Sequence, residues 1–224
     1  MALVVTVDVE NPDRRARDPL AVLEQILAVV DRHRAPVTFF VQGRWALAHP
    51  DLVREISLRD PTMGLHGFAH VDHRRLTPEG VRAETRDGLA ALAAAVPGHR
   101  PRYCRLPYGF GADDPEVEFL LSEAGLTAVG WDRTSYDWDV SLPDEDALAR
   151  VLPAVADGGV TLFHSWPERT PRLLDRLFTA AGPGGVSSVA DVRLPGRGPQ
   201  GPRWHKKAVD LPRFAATDDA ATRG

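Results

Sequence analysis

A regular alternation of two kinds of segment constrains the fold of this chain more than any other feature. Short apolar runs rich in β-branched residues predict buried strands, and longer segments with apolar residues at helical spacing predict helices. The two kinds alternate about seven times with short links. Such an alternation predicts parallel strands joined by right-handed crossovers, hence an α/β barrel or a doubly wound sheet.

The predicted strands and helices occupy most of the chain before residue 193. We predict strands at 2–7, 36–41, 62–65, 102–106, 127–131, 159–164 and about 186–189. Helices are predicted at 18–33, about 50–57, from Thr77 to a stop at Gly98, and at 115–125, 143–156 and 170–181. From about Leu194 the residues Pro, Gly and Arg dominate. We therefore predict one barrel domain over 1–193 and a tail over 194–224 that wraps the surface or is disordered.

The net charge and the cysteine content of the chain indicate which kinds of partner and which compartment to expect. A formal net charge of −4 gives no reason to expect a nucleic acid or an anionic membrane as partner. The lone Cys104 excludes an internal disulfide, and its apolar flanks favour an inert core residue over a nucleophile. The first residues lead directly into an apolar run, without a basic segment or a small-residue cleavage site, so we expect a cytoplasmic protein. No oligomeric state is predicted.

Reactive side chains follow directly after several predicted strands. Asp8, His66, Arg105, Asp137 and His164 all lie at a predicted strand end or shortly after it. The carboxyl ends of parallel strands gather on one face of an α/β protein, where its functional site is usually found. We therefore expect these five side chains to share one site.

The histidines in this set include a pair with metal-binding spacing. His66 and His70 are four residues apart, so on one helical turn they would share a face and could bind one metal ion. The spacing alone is a weak signal, because two histidines after a strand can also hydrogen-bond to backbone carbonyls. His73 offers a further nitrogen ligand, but its neighbours Asp72, Arg74 and Arg75 favour a solvated loop.

Five short motifs occur in order across about residues 3–190. They are Thr6-Val-Asp-Val-Glu10, His66-Gly-Phe-Ala-His70, Arg105-Leu-Pro-Tyr-Gly109, Trp131 with Asp137-Trp138, and Leu162-Phe-His164. In this order and at this spacing they resemble the motifs of the polysaccharide deacetylases of the NodB-homology type, carbohydrate esterase family 4. The resemblance implies a distorted (β/α)7 barrel, which agrees with the alternation of elements, and metal-dependent hydrolysis of an N-acetyl group.

The first motif departs from the family pattern at a metal ligand. The family usually has a second aspartate where this chain has Val9, and an aliphatic side chain cannot coordinate a metal. Glu10 lies two residues after Asp8, so on an extended strand both carboxylates face the same way. We therefore assign the metal ligands to Glu10, His66 and His70. Two imidazoles and one carboxylate suit Zn²⁺, although Co²⁺, Ni²⁺ and Fe²⁺ fit as well.

The resemblance also implies roles for the other motif residues. Asp8 is the expected general base, and Arg105 is expected to pair with Asp8 and hold it ionised and oriented. The backbone N–H of Tyr108 is the expected oxyanion donor. His164 is the expected general acid toward the leaving amine, with Asp137 raising the pKa of His164 and fixing its tautomer.

The substrate is expected to lie against an apolar slot. Trp138 and Leu162, with Tyr108, are assigned to binding of the acetyl methyl and the sugar ring. Structural alternatives stay open at this point: Arg105 could form a structural ion pair in the barrel, His164 could be a core histidine, and Trp138 could be core packing.

Three functions fit these observations. The first is a metal-dependent deacetylase acting on an amino sugar or a small N-acetylated, sugar-containing metabolite. The second keeps the site but hydrolyses another C–N bond, as in a cyclic imide, a ureide or a linear amide. The third is a metal-free degenerate barrel that binds a sugar or a partner. The fold does not decide between them, because one fold can carry many chemistries.

Overall fold

A curled, parallel sheet forms the centre of the protein, in a computed structural model that describes residues 2–11 and 18–191. Its strands are β1 (Leu3–Val9), β2 (Val37–Val41), β3 (Gly64–Leu65), β4 (Tyr103–Cys104), β5 (Thr127–Ala128), β6 (Arg133–Thr134), β7 (Gly159–His164) and β8 (Val186–Ser187). The strand order is β5-β4-β3-β2-β1-β7-β6, and β8 pairs with the start of β1. Every strand pairing is parallel, as the alternation predicts.

Helices connect the strands. They are α1 (Pro19–His33), α2 (Gly43–Ala48), α3 (Pro50–Arg59), α4 (Pro78–Ala95), α5 (Pro115–Glu123), α6 (Asp144–Val151), α7 (Ala154–Asp157) and α8 (Thr170–Ala181). Several begin with a proline in the first turn, where its missing N–H costs no helical hydrogen bond. Side-chain oxygens of Asp18, Thr77 and Asp114 accept backbone N–H bonds at the starts of α1, α4 and α5. In the described ranges, no helix has the length and apolar character needed to cross a membrane.

The structure corrects two of the predicted elements and adds a third. The predicted strand at 127–131 pairs with β4 only over β5, and the chain then crosses to the opposite edge of the sheet to form β6. The predicted helix at 143–156 is two helices, α6 and α7, since Pro153 lacks the N–H that a continuous helix needs. The six-residue α2 was not predicted, because so short a segment shows no clear periodicity.

Strand β1 is the central element and divides the core. All seven of its residues are buried, as expected for a parallel strand covered on both faces. Leu3, Val5, Val7 and Val9 pack in the large apolar cluster with the helices. Val4 lies in a second, smaller cluster with residues of other strands. Because side chains alternate along a strand, Asp8 lies on the side of Val4, inside the curve of the sheet and at its carboxyl end.

Two predictions from the sequence concern other parts of the chain. The predicted tail over 194–224 lies outside the described residues. Cys104 lies in β4 with 2% exposure, and burial raises the pKa of its thiol to about 12. A thiol with this pKa stays protonated at neutral pH, in agreement with an inert core residue.

Candidate active site

The polar residues predicted from strand ends come together at the carboxyl edge of the sheet. Asp8 and His164 lie side by side, paired in register between β1 and β7. Glu10 follows β1 directly, His66 follows β3, and Arg105 follows β4. These residues come from chain segments up to 156 residues apart, and the parallel topology brings their strand ends to one edge.

Glu10, His66 and His70 converge on a single point. The Oε2 atom of Glu10 lies 3.0 Å from Nε2 of His66 and 2.6 Å from Nε2 of His70. One ligand atom from each of the three residues lies within 4.8 Å of the others. Two imidazole nitrogens and one carboxylate oxygen at this separation fit a divalent metal ion. The structure therefore brings together the three residues that we assigned as ligands.

The tautomer of His66 suits a metal ligand. Its Nδ1 atom lies 2.9 Å from the backbone oxygen of Arg105, and a carbonyl can only accept, so Nδ1 carries the proton. In the neutral ring the lone pair is then on Nε2, the atom that faces Glu10. A hydrogen bond from the second ring nitrogen to a carbonyl is the usual way in which a protein orients a histidine ligand.

The two histidines do not share a helical turn, which corrects our prediction of their local structure. No helix is assigned to residues 66–70. Gly67 has a φ of 66° and His70 a φ of 58°, both in the left-handed region. The chain bends between these two residues, so the imidazoles meet through a bend and not through helical spacing. His73, the further candidate, is buried, outside the cluster of three, and bonded to the carbonyl of Val71.

Glu10 and the residue after it are held by two further buried side chains. The indole Nε1–H of Trp166 donates to Oε1 of Glu10 at 3.3 Å. The backbone N–H of Asn11 donates to Oε1 of Gln42 at 3.0 Å, which fixes the chain just after Glu10. Both Trp166 and Gln42 are buried. The position of Trp166, two residues after the Leu162-Phe-His164 motif, was the only available signal for it.

The protonation of Glu10 follows from its surroundings. Burial by itself raises the pKa of this carboxyl group, but side-chain hydrogen bonds with His66 and His70 outweigh burial. While no metal is bound, His66 donates from Nε2 as the imidazolium, because Asp8 and Glu10 raise the pKa of this ring against the effect of its burial. The nearby imidazoles of His70 and His164 act in the same direction as these bonds, and the pKa of Glu10 is held well below its usual range. Glu10 is therefore an anion at neutral pH, the state that a metal ligand requires.

Arg105 forms the predicted ion pair with Asp8 and also donates hydrogen bonds to the backbone of the barrel. It is 1% exposed, and its Nη1 atom donates to Oδ1 of Asp8 at 2.9 Å and to Oγ1 of Thr6 at 2.7 Å. Its Nε and Nη2 atoms donate to the backbone oxygens of Val129 and Gly130, at 3.2 and 3.0 Å. These two carbonyls belong to the segment that crosses between the two edges of the sheet. Arg105 thus orients Asp8 and holds the crossing segment together.

A second buried pair joins Asp137 to His164. The Nδ1–H of His164 donates to Oδ1 of Asp137 at 2.9 Å, and the backbone N–H of His164 donates to Oδ2 at 2.7 Å. The hydroxyl of Thr170, at the start of α8, donates to the same Oδ2 atom at 2.8 Å. Thr170 is fully buried, and sequence reasoning read it only as the start of a helix.

The charge of Asp137 controls the titration of His164. Burial lowers the pKa of His164, but the charge of Asp137 and its hydrogen bond outweigh burial, and the pKa is raised to about 9. The imidazole is therefore protonated at neutral pH, as a general acid needs to be. With Nδ1–H bonded to Asp137, the Nε2–H is the proton available for transfer.

The three residues assigned to the oxyanion and the substrate lie in different environments. Tyr108 has a φ of 58°, is 42% exposed, and its ring centre lies 4.5 Å from that of His70. The ring of Trp138 packs edge-on against His164 at 4.7 Å. Leu162 is 3% exposed. Tyr108 and Trp138 therefore flank the converging residues on two sides, and Leu162 lies beneath the surface.

Comparison with known proteins agrees with this fold. The profile described as polysaccharide deacetylase matches residues 5–129, more than half of the chain. The chain belongs to the polysaccharide deacetylase family. A chitooligosaccharide deacetylase from Bradyrhizobium sp. (strain ANU 289) is 34% identical over 140 residues, which are 62% of this chain and 62% of that relative. The match thus spans less than two thirds of the relative's length.

Solved structures show the same fold. A family 4 carbohydrate esterase from Streptomyces lividans, in complex with acetate, aligns with a TM-score of 0.70 and 23% identity over 84% of this chain and 91% of that chain. This likeness confirms the predicted distorted barrel. A CE4 family pseudoenzyme from Bacillus anthracis aligns with a TM-score of 0.71 and 20% identity, over 84% of this chain and 64% of that chain. Because a pseudoenzyme shares the fold, function has to be argued from the site residues.

Proposed function

We propose that this chain is a metal-dependent deacetylase that hydrolyses the N-acetyl group of an amino sugar. The observation that carries the proposal is the convergence of Glu10, His66 and His70 beside two further pairs, Asp8 with Arg105 and His164 with Asp137. The substrate class is supported by membership of the polysaccharide deacetylase family and by the relative named a chitooligosaccharide deacetylase. A short N-acetylglucosamine oligosaccharide is the first substrate to test, and a small N-acetylated sugar metabolite is the second.

Hydrolysis of an acetamide requires an activated water, a stabilised oxyanion and a proton for the leaving amine. Glu10, His66 and His70 would hold the metal ion. When bound, a divalent metal supplies Lewis-acid polarisation and a more acidic water. Zn²⁺ is the ion we propose first, because two imidazoles and a carboxylate are a common zinc ligand set.

The chain's own groups carry the proton transfers. Asp8 accepts a proton from the attacking water, and Arg105 keeps that carboxylate oriented through the 2.9 Å bond. Oδ2 of Asp8 lies 3.6 Å from Nε2 of His66, so the base is beside the ligand cluster. His164 gives its Nε2 proton to the amine nitrogen as the C–N bond breaks. The products are acetate and a free amino sugar, and the backbone N–H of Tyr108 is assigned to the oxyanion.

The test measures acetate release with and without metal. Chelation followed by dialysis should abolish acetate release from chito-oligosaccharides, and Zn²⁺ or Co²⁺ should restore it. His66→Ala should remain inactive after metal is added back, whereas His49→Ala, at the junction of α2 and α3, should behave as wild type. Full activity in a preparation shown by elemental analysis to be metal-free would rule out the metal mechanism. Hydrolysis of a cyclic imide or a ureide, without acetate release from any N-acetylated sugar, would favour the second hypothesis.

A further inference from the structure

The loop that carries both histidine ligands has to be held in an unusual conformation. We call residues 66–70 the metal loop. A non-glycine residue at positive φ is strained, and His70 adopts such a φ. No helical or strand hydrogen bonds run through this loop. Contacts from other elements must therefore fix its backbone, since a small rotation at Gly67 would move His70 away from His66.

One side of the metal loop is bonded to the start of α2. The backbone N–H of Gly43 donates to the oxygen of Gly67 at 2.9 Å, and the N–H of Arg44 donates to the oxygen of Phe68 at 3.0 Å. These are the first residues of α2, whose N–H groups have no partner inside the helix. The carbonyl groups of Gly67 and Phe68 are thus both bonded to α2.

The other side of the metal loop is bonded to a single carboxylate on α4. Oε2 of Glu84 accepts the backbone N–H of Phe68 at 2.9 Å and that of Ala69 at 3.0 Å. Bonds to an ionised acceptor are roughly twice as strong as those between neutral groups. Glu84 lies outside the three-residue ligand cluster, so its carboxylate acts on the backbone between the two histidines and not on the ion.

We propose that Glu84 is a positioning residue that sets the metal affinity of the site by fixing the backbone of the metal loop. The proposal rests on the metal site of the proposed function. With Phe68 and Ala69 held from α4, and Gly67 and Phe68 held from α2, the loop has one conformation before the metal arrives. Without Glu84 the loop samples others, and each binding event then has to order it.

The experiment compares three variants in zinc titrations of the metal-free protein. Glu84→Ala removes the acceptor, Glu84→Gln keeps an acceptor oxygen without its charge, and Glu79→Ala is the matched control from the same helix. Glu79 is an exposed residue whose ion pair is with Arg82. The readouts are the Kd for Zn²⁺ by calorimetry, the Tm, and the hydrogen exchange of the Phe68 and Ala69 amides.

We expect Glu84→Ala to weaken Zn²⁺ binding by about 10–100-fold, the usual scale for losing a group that orients a metal ligand. Glu84→Gln should lose less Zn²⁺ affinity, and Glu79→Ala should keep the wild-type affinity. The amides of Phe68 and Ala69 should exchange faster in Glu84→Ala. Excess Zn²⁺ should restore most of the turnover of Glu84→Ala, because Glu84 touches neither the ion nor the substrate.

Two results would overturn the proposal. One is a folded Glu84→Ala protein with wild-type Kd for Zn²⁺. The other is a Glu84→Gln protein with wild-type Zn²⁺ affinity and unchanged protection of the two amides. This second result decides the matter if Glu84→Ala does not fold. Failure of the proposed function is a separate outcome: wild-type protein would then bind no Zn²⁺ at this site, or would bind it without releasing acetate from any N-acetylated sugar.

Discussion

The carboxylate of Asp137 accepts three hydrogen bonds and determines the protonation state of His164, the candidate general acid. Oδ1 accepts the ring N–H of His164, while Oδ2 accepts the backbone N–H of His164 and the hydroxyl of Thr170. The carboxylate is 1% exposed, so its charge is little screened by water. A fixed, buried anion beside an imidazole stabilises the imidazolium form.

This arrangement predicts the alkaline limb of the pH–rate profile. The pKa of His164 is raised to about 9, so the acid is protonated below that pH and activity should fall as the pH rises through it. Asp137→Asn removes the charge and keeps the shape, so the pKa of His164 should fall and the alkaline limb should move to lower pH. The control is Asp175→Asn, which alters an aspartate–histidine pair with His33 that lies away from the site. An alkaline limb at the same pH in Asp137→Asn would mean that another group is the acid.

At the scale of elements, α4 has to lie unusually close to β3 and to the metal loop. Gly88 lies one turn after Glu84 on the buried side of α4. A Cβ atom at Gly88 would lie 2.6 Å from Cδ1 of Leu65 and 3.4 Å from the backbone oxygen of Gly67. Leu65 is 2% exposed, so it has little room to move. The absence of a side chain at residue 88 therefore permits the contact between Glu84 and the loop.

We predict that Gly88→Ala destabilises the protein although alanine favours helices. Alanine gains about 1 kcal/mol of helix propensity over glycine, but overpacking of a dense core typically costs about 1–3 kcal/mol. Urea unfolding should therefore show a lower midpoint, together with a weaker affinity for Zn²⁺. Ala90→Gly, at an exposed position of α4, is the control that measures the propensity alone. If the Gly88→Ala protein were more stable than wild type and had normal metal affinity, α4 would be able to shift away from Leu65, and the prediction would be wrong.

For the molecule as a whole, the ligand cluster joins distant parts of the chain. Glu10 and His66 are 56 residues apart and belong to opposite sides of β2 in the sheet. A ligand that binds only the folded chain stabilises it by mass action, by about 2.7 kcal/mol at a concentration of 100 times Kd. Metal binding should thus stabilise the whole barrel and not the loop alone.

We predict a rise in the Tm of several degrees on saturation with Zn²⁺. For a domain of this size about 1 kcal/mol corresponds to about 2–4 °C, so 100 Kd of metal should add about 5–10 °C. Differential scanning calorimetry with and without Zn²⁺ measures the shift. His66→Ala should show little of it, and an equal shift in His66→Ala would place the binding site elsewhere on the chain.

The sequence by itself determined the architecture and the edge of the sheet where the site lies. Strand and helix periods are local properties, so alternation of the two predicted parallel strands and a barrel. Because side chains alternate along a strand, Asp8 and Glu10 were expected on one side, and both take part in the site. The strand ends also predicted that Arg105, His66 and His164 would meet, since parallel strands end at one edge.

Only the tertiary structure decided how the site is held together. The metal loop is not a helical turn, since bonds from Gly43, Arg44 and Glu84 select a conformation that its own residues do not prefer. Trp166 reaches Glu10 across 156 residues, and Thr170 reaches Asp137 across 33. Such hydrogen bonds depend on distances and directions between elements that are far apart in the chain. Periodicity and spacing report only neighbours along the chain. The motifs indicated Arg105 and Asp137 as residues that orient the reactive groups, but nothing local to the sequence indicated Trp166 or Thr170.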